Sequence, residues 1–272
     1  MKDELDKMIE MGVIRSSTSP RASPVVIVPK KDGGIRSFID YRKLNKTAKC
    51  DAYPMPHIDD VIEKVEKARF ISTLDLARGY WQIQMCEASI EKTAFAAPFG
   101  LYEFVVMPFG LHNAPATFMR MINHLLSGYQ SFVDPYFDDI PVFSEGWDDH
   151  LMHLRKVFTR LRDANLSLKS LKCRLGYTQT QHLGHVIGEG KILPDPKKVE
   201  AVKNYKQPET NSEVRAFLGL TGYYRRFIPN YSNTAALPAA LTQKAKPELC
   251  NGIKRTRMLL KNLRAHSHLV QF

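Results

Sequence analysis

Two adjacent acids sit inside an apolar stretch, Tyr136-Phe137-Asp138-Asp139-Ile140, and few local structures tolerate that. Successive side chains of a strand face opposite sides, so a continuous strand would drive one of the two carboxylates inward at a large desolvation cost. A tight hairpin turn removes the conflict, because both carboxylates then project from its tip. Pro135 and Pro141 flank the pair. Proline has no ladder donor and belongs at edges, first positions or bulges. If both prolines face away from the partner strand the hairpin survives. If either interrupts a needed hydrogen bond, the acids move by about an ångström or more, enough to cost rate severely.

By itself an Asp-Asp pair is more often a solvated turn or a helix cap. A third acid changes the weighing: Phe70-Ile71-Ser72-Thr73-Leu74-Asp75 reads as a buried strand ending in a carboxylate. Three carboxylates converging without basic partners repel one another, and a divalent cation is the natural counter-charge. Mg²⁺ suits such a set because it prefers oxygen ligands, keeps several waters and is usually held by one or two carboxylates plus substrate phosphates.

The surface charge points the same way. Lys and Arg outnumber Asp and Glu 39 to 28, for a formal charge of +11, so the field of the protein attracts polyanions. Cys50, Cys86, Cys173 and Cys250 are scattered with no zinc spacing, which reads as unpaired thiols in a reducing compartment. The charged, amphipathic start and the absence of a long apolar run argue against secretion and membrane spanning, and for an intracellular location in a cytoplasmic particle or the nucleus.

Periodicity predicts helices over 3–11 with a glycine stop at Gly12, over 57–68, from Asn113-Ala114-Pro115 with Asn113 as cap, and over 148–165 with Asp148 or Asp149 as cap. The last carries Leu151, Leu154, Val157, Phe158 and Leu161 as its apolar stripe. Val25 to Val28 and Arg36 to Tyr41 flank Asp32-Gly33-Gly34 and predict a hairpin. Two later helices are marked by Asp195-Pro196 and Asn211-Ser212-Glu213, the second with Val214, Phe217, Leu218 and Thr221 on one face. Residues 249–272 contain no Asp or Glu.

An ordered series of motifs runs through almost the whole chain, from about residue 3 to 245. It includes Ser19-Pro20-Arg21-Ala22-Ser23-Pro24-Val25-Val26, Asp40-Tyr41-Arg42-Lys43-Leu44-Asn45, Leu74-Asp75-Leu76-Ala77-Arg78-Gly79-Tyr80 and Lys92-Thr93-Ala94-Phe95. Met107-Pro108-Phe109-Gly110-Leu111, Asn113-Ala114-Pro115-Ala116-Thr117-Phe118, Tyr136-Phe137-Asp138-Asp139, Leu183-Gly184-His185-Val186-Ile187 and Tyr223-Tyr224-Arg225-Arg226-Phe227 follow. The chain thereby resembles the reverse transcriptases of gypsy-type LTR retrotransposons, relatives of retroviral polymerases.

That resemblance implies an α+β right-hand polymerase, with fingers over 1–50 and 82–112, an antiparallel-sheet palm backed by helices over 51–81 and 113–189, and a helical thumb or connection over 190–245. Residues 246–272 would then begin an RNase H-like domain without its carboxylates. Asp75, Asp138 and Asp139 would be the catalytic ligands of two Mg²⁺ ions, with Mn²⁺ as a substitute. Lys30, Lys31 and Arg36 would clamp the incoming triphosphate, as ammonium and guanidinium donors suit phosphate oxygens. Tyr80 would gate against a ribose 2′-hydroxyl, and Lys172 matches a lysine linked to pyrophosphate protonation. Phe109, Gly110 and Pro115 would pack nucleotide and template, beside Tyr136 and Phe137. Leu183-Gly184-His185 resembles a hairpin that grips the primer backbone. His182 and His185 lack a third ligand nearby, which leaves them weak as a metal pair.

The implied partners are an RNA or DNA template with its primer, and dNTPs. The implied reaction is RNA- or DNA-directed DNA synthesis by two-metal nucleotidyl transfer to a primer 3′-hydroxyl. The competing reading, motivated by the two prolines, is a decayed relic that binds nucleic acid without chemistry.

Overall fold

A short amphipathic helix opens the chain, and a glycine closes it. In the computed structural model, α1 (Lys2–Glu10) ends where Gly12 takes a φ of +64°, letting Val13 N–H reach back to Met8 O at 2.9 Å. The model describes residues 1–29, 35–206, 208, 210–228, 230–233 and 235–236. It forms two compact units, Met1–Thr178 and Gln179–Phe272. Among the described residues no helix is long and apolar enough to cross a membrane.

The first unit begins with β1 (Ile14–Ser16), β2 (Ser23–Pro29) and β3 (Ile35–Ile39), then α2 (Arg42–Thr47), α3 (Ile58–Glu66) and β4 (Phe70–Asp75). The predicted early hairpin is β2 and β3, paired antiparallel from Val25↔Ile39 to Pro29↔Ile35. A 3-10 turn over Gly79–Gln82 leads to α4 (Glu87–Ile90), β5 (Phe95–Ala97), β6 (Gly100–Phe104) and α5 (Ala114–Leu125). Then come β7 (Asp139–Ser144), α6 (Trp147–Asp163), a second 3-10 turn over Ser170–Lys172 and β8 (Arg174–Tyr177). One sheet has the order β1-β6-β5-β2-β3 and the other β7-β4-β8.

The β7-β4-β8 sheet carries the larger core. Leu74, Ile140 and Val142 from its strands pack with Phe118 and Ile122 of α5 and Val157 and Leu161 of α6, all nearly sealed from solvent. Each such side chain contributes roughly 1.5–3 kcal/mol on burial, which makes the sheet a rigid base. Beneath the five-stranded sheet, Leu5 of α1 joins Val13, Ile14, Phe95 and Phe104.

Asn113 is the N-cap residue of α5, as expected, and its backbone carbonyl accepts from Thr117 N–H at 3.0 Å. Its side chain turns elsewhere: Nδ2 donates to Lys49 O at 2.6 Å and Oδ1 accepts from Asp51 N–H at 3.1 Å, tying the Pro-punctuated linker to the helix. One expectation for a helix end is corrected: Asp148 and Asp149 are not the cap of α6. Gly146 is, and the two acids lie in the first turn, where the helix dipole favours negative charge.

The apolar stripe of α6 is also rotated from its predicted position. Leu151 and Phe158 are exposed, while His150 turns fully inward. Its ring bonds Ser72 Oγ of β4 at 2.7 Å through Nε2 and Ser144 Oγ of β7 at 3.0 Å through Nδ1. Hydrophobicity could not announce a histidine held inside by two strand hydroxyls. Burial lowers the His150 imidazole below its ordinary value of 6.5, so the folded protein resists the proton that the unfolded chain accepts. The contribution of His150 to stability is therefore full above about pH 6.5 and is lost progressively as pH falls below it. Melting curves between pH 7.5 and 5 are expected to show this decline, and His150→Gln, which keeps hydrogen-bonding atoms without titrating, to flatten it. An equal decline in the variant would remove His150 as its source.

The second unit holds β9 (Gln179–His182), β10 (His185–Gly188) and β11 (Lys191–Pro194) in one antiparallel sheet, then α7 (Pro196–Lys203) and α8 (Asn211–Tyr223). Asp195 caps α7 by accepting from Lys197 N–H at 2.9 Å. The cap of α8 is Thr210, reciprocally bonded with Glu213 in a capping box. Val214, Phe217 and Thr221 face inward as expected. Residues 237–272, including the predicted start of a further domain and Cys250, lie outside the described set.

Candidate functional site

The Asp-Asp pair does occupy a hairpin. Tyr136 and Asp139 exchange both backbone hydrogen bonds, at 2.9 and 3.1 Å, leaving Phe137 and Asp138 as a two-residue loop. Phe137 takes a φ of +51°, a conformation that usually calls for glycine and costs a larger residue about 1–3 kcal/mol. The surroundings hold it there: Phe137 N–H points at Met119 Sδ of α5, 3.1 Å away, and its ring meets Tyr136 edge to face.

Neither proline breaks the ladder that positions the acids. β4 and β7 pair without a slip from Phe70↔Ser144 to Asp75↔Asp139. Leu76 N–H donates to Asp138 O, which sets the alternation: Asp138, Ile140 and Val142 turn their backbone polar groups toward β4. Pro141 turns its nitrogen the other way, toward the outer arm of the hairpin. Since β7 is an edge strand, this is where proline is tolerated. Pro135 stands on the outer arm, outside that ladder.

The same alternation makes Asp75 and Asp139 a non-hydrogen-bonded pair, the closest cross-strand spacing, with Cβ atoms roughly 4.5–5.5 Å apart. Like charges directly opposite are unfavourable. Burial foremost, then the charge of Asp75, pushes the Asp138 carboxyl above the ordinary carboxylate range. Asp139 is raised by burial, then by Asp75 and Asp138.

The expectation of an acidic cluster without a basic partner is corrected. Lys172 Nζ lies 2.8 Å from Asp75 Oδ2, and it is the cation that lowers the carboxyl values of both Asp138 and Asp139. The turn over Ser170–Lys172 is anchored to the same acid, because Lys169 N–H donates to Asp75 O at 2.8 Å.

Tyr80 stands beside these acids. Its phenol is raised by burial and by the charge of Asp138, and its ring packs against Phe118 at 5.4 Å and Phe109 at 5.0 Å between centroids. Phe109 is exposed. Gly110 takes a φ of +95°, and its carbonyl accepts from Asn45 Nδ2 at 2.8 Å. Pro115 lies in the first turn of α5.

Leu183 and Gly184 form a turn in the second unit, both with positive φ. Tyr223 and Tyr224 donate to their carbonyls at 2.6 and 2.9 Å. His185 is buried opposite His182, which burial lowers to about 4. Lys30 and Lys31 lie outside the described residues, as does the side chain of Arg36 on β3.

Two residues of the site were not singled out from the sequence. Gly79 is buried, and a Cβ on it would fall on the Asp138 carboxylate. Its φ is ordinary, so the requirement is for space, which composition does not reveal; its place just before Tyr80 was the available signal. Asn45 was quoted only within a motif, yet its amide holds both Gly110 O and His112 N–H.

Among the described residues, no three His, Cys, Asp or Glu side chains already stand at chelating distance. The donor set nonetheless fits a hard cation: it consists of carboxylate oxygens, and Asp138 Oδ1 is buried with no hydrogen-bond partner.

Comparison with known proteins shows the family. A family model described as reverse transcriptase (RNA-dependent DNA polymerase) matches residues 28–187, more than half of the chain. The retrovirus-related Pol polyprotein from transposon 297 of Drosophila melanogaster is 45% identical over 86% of this chain, and that from transposon opus is 41% identical over 88%. The transposon Tf2-3 polyprotein of Schizosaccharomyces pombe is 36% identical over 85% of the chain. The chain spans only 23%, 24% and 18% of these relatives' lengths.

Among solved structures, the foamy viral protease-reverse transcriptase in complex with double-stranded DNA matches with a TM-score of 0.87 at 26% identity, covering 97% of this chain and 47% of that one. The same enzyme in complex with RNA/DNA hybrid matches at 0.86, covering 96% and 36%. The α+β architecture, with its antiparallel β7-β4-β8 sheet backed by helices, is thus that of a right-hand polymerase, and the chain belongs to the reverse transcriptase family.

Proposed function

We propose that this chain is the polymerase core of a retrotransposon reverse transcriptase, extending a primer on an RNA or DNA template with dNTPs. The observation that carries the reading is the trio of Asp75 and Asp139 on paired strands and Asp138 in the adjoining turn, with Asp138 Oδ1 buried and unpartnered. Catalysis in this family depends on divalent metal in general. For this chain we assign two Mg²⁺ ions, with Mn²⁺ as a substitute, to those three carboxylates; when bound they supply charge neutralisation at the attacking and leaving oxygens.

The remaining work falls to the chain's own residues. The primer 3′-hydroxyl oxygen forms a bond to the α-phosphorus of the dNTP, its proton passes to solvent water, and the bond from the α-phosphorus to the bridging oxygen breaks, releasing pyrophosphate. Lys30, Lys31 and Arg36 bind the triphosphate. Tyr80, supported by Phe109 and Phe118, closes the space a ribose 2′-hydroxyl would need, with Gly110 and Pro115 completing the packing around nucleotide and template. Tyr136 and Phe137 border the primer end, Leu183-Gly184-His185 grips its backbone, and Lys172 stands ready beside the leaving group. We assign 1–50 and 82–112 to fingers, 51–81 and 113–189 to palm, and 190–245 to thumb or connection.

Purified protein given primer–template, dNTPs and Mg²⁺ is expected to extend the primer, and chelation to stop it. Pro135→Val and Pro141→Leu are expected to give no gain, because neither proline takes a hydrogen bond from the β4–β7 ladder. Extension by the revertants alone, with salt-sensitive binding but no incorporation by the native chain, would establish the decayed-relic reading instead.

A further inference from the structure

One ammonium ion-pairs with Asp75 and acts through space on the charges of Asp138 and Asp139. Lys172 Nζ and Asp75 Oδ2 are 2.8 Å apart, with the Lys172 side chain 55% exposed and that of Asp75 17% exposed. Asp75 is also the acid placed opposite Asp139 and near Asp138, whose Oδ1 has no hydrogen-bond partner. Its own backbone carbonyl holds the lysine-bearing turn through Lys169 N–H, and Lys172 N–H closes that turn on Lys169 O at 2.8 Å. The stem of Lys172 is thus pinned to Asp75 while its head is free to swing into solvent.

We propose that Lys172 is a tethered competitor of the divalent cation: it neutralises the acidic cluster in metal-free protein and must release Asp75 for an ion to be chelated. This rests on the metal site assigned above and adds to it a role for Lys172 before any nucleotide arrives. The three carboxylates repel one another, and the folded chain tolerates them at neutral pH because a cation of its own lies among them. A metal ion carries twice the charge and takes several oxygen ligands at once, so it displaces a single ammonium. The exchange conserves the cluster's neutralisation and frees the ammonium to meet an anionic group in the cleft. Metal loading and the availability of Lys172 then become one event.

The test is metal binding without nucleic acid or dNTP, read by Mn²⁺ paramagnetic resonance and by melting with and without Mn²⁺. A competitor that occupies Asp75 most of the time lowers apparent affinity in proportion to the fraction left open. Lys172→Met is therefore expected to bind Mn²⁺ about fivefold more tightly or better, to melt lower than native protein in chelator, and to gain more from Mn²⁺. Lys172→Arg, which keeps the charge, should stay close to native, and Lys172→Gln serves if the Met variant does not fold. Unchanged or weaker Mn²⁺ binding in both neutral variants overturns the competition while leaving the metal site standing. If native protein binds no Mn²⁺ saturably and Asp75→Asn makes no difference, the metal site itself is wrong.

Discussion

Replacing Asp138 with Asn is expected to abolish primer extension, by at least about 100-fold, and at the same time to raise the melting temperature of metal-free protein. Both effects come from one carboxylate. Asp138 is held with Oδ1 buried and unpartnered, and burial together with Asp75 pushes its carboxyl above the ordinary 3.8. A group whose folded value is raised favours the fold below its unfolded value, and that contribution is lost as pH rises through the folded value. At neutral pH the charged form is therefore a cost to the metal-free fold. Asn is nearly the same shape, carries no charge and can donate a hydrogen bond, so it removes the cost along with the function, as strained active sites often allow. Extension assays and melting curves in chelator measure the two halves. Retained extension would remove Asp138 from the site, and a lower melting temperature would show that its charge is stabilised by something other than a cation.

Gly79→Ala is the second large effect expected, about 100-fold in extension. The added methyl would fall on the Asp138 carboxylate, and neither side can yield easily. Asp138 is in a two-residue loop whose neighbour Phe137 already holds a positive φ, and Gly79 begins the turn that carries Tyr80. A misplacement of about an ångström is enough for such a loss, and overpacking of this kind costs roughly 1–3 kcal/mol of stability. The pair can be separated by a double-mutant cycle. In an Asp138→Ala background the stability cost of Gly79→Ala should nearly vanish, because the atoms it strikes are gone. An undiminished cost there would place the clash elsewhere.

Much of this was legible along the chain. The early hairpin, the strand ending in Asp75, the turn bearing Asp138 and Asp139, and the helices opened by Asp195 and closed by Gly12 all rest on local rules: alternation, capping, and the backbone freedom of glycine. These rules act over a few residues and need no knowledge of what lies opposite. The ordered motifs added the family and, with it, the roles assigned to Tyr80, Lys172 and the Leu183-Gly184-His185 turn.

What local rules could not see were matters of who meets whom. His150 displaced Leu151 and Phe158 from the inward face of α6 because Ser72 and Ser144 from two strands bond its ring. Asn113 sits at the N-cap of α5 as expected, yet its side chain bonds the 49–51 linker rather than the helix. Pro141 proved harmless to the ladder because of the direction its nitrogen faces on an edge strand, a property of register rather than of residue type. Gly79 acquired its importance, and Lys172 its carboxylate partner, only when folding brought residues far apart in sequence onto Asp138 and Asp75.

The amino-acid sequence by itself determined the kind of protein this is and which acids come together in one cluster, since carboxylates flanked by apolar strands have few tolerable placements. Only the tertiary structure decided how those acids are spaced, which cation neutralises them and what leaves room for them. Those outcomes depend on register and on contacts between distant segments, and charge repulsion and steric exclusion act through space, not along the chain.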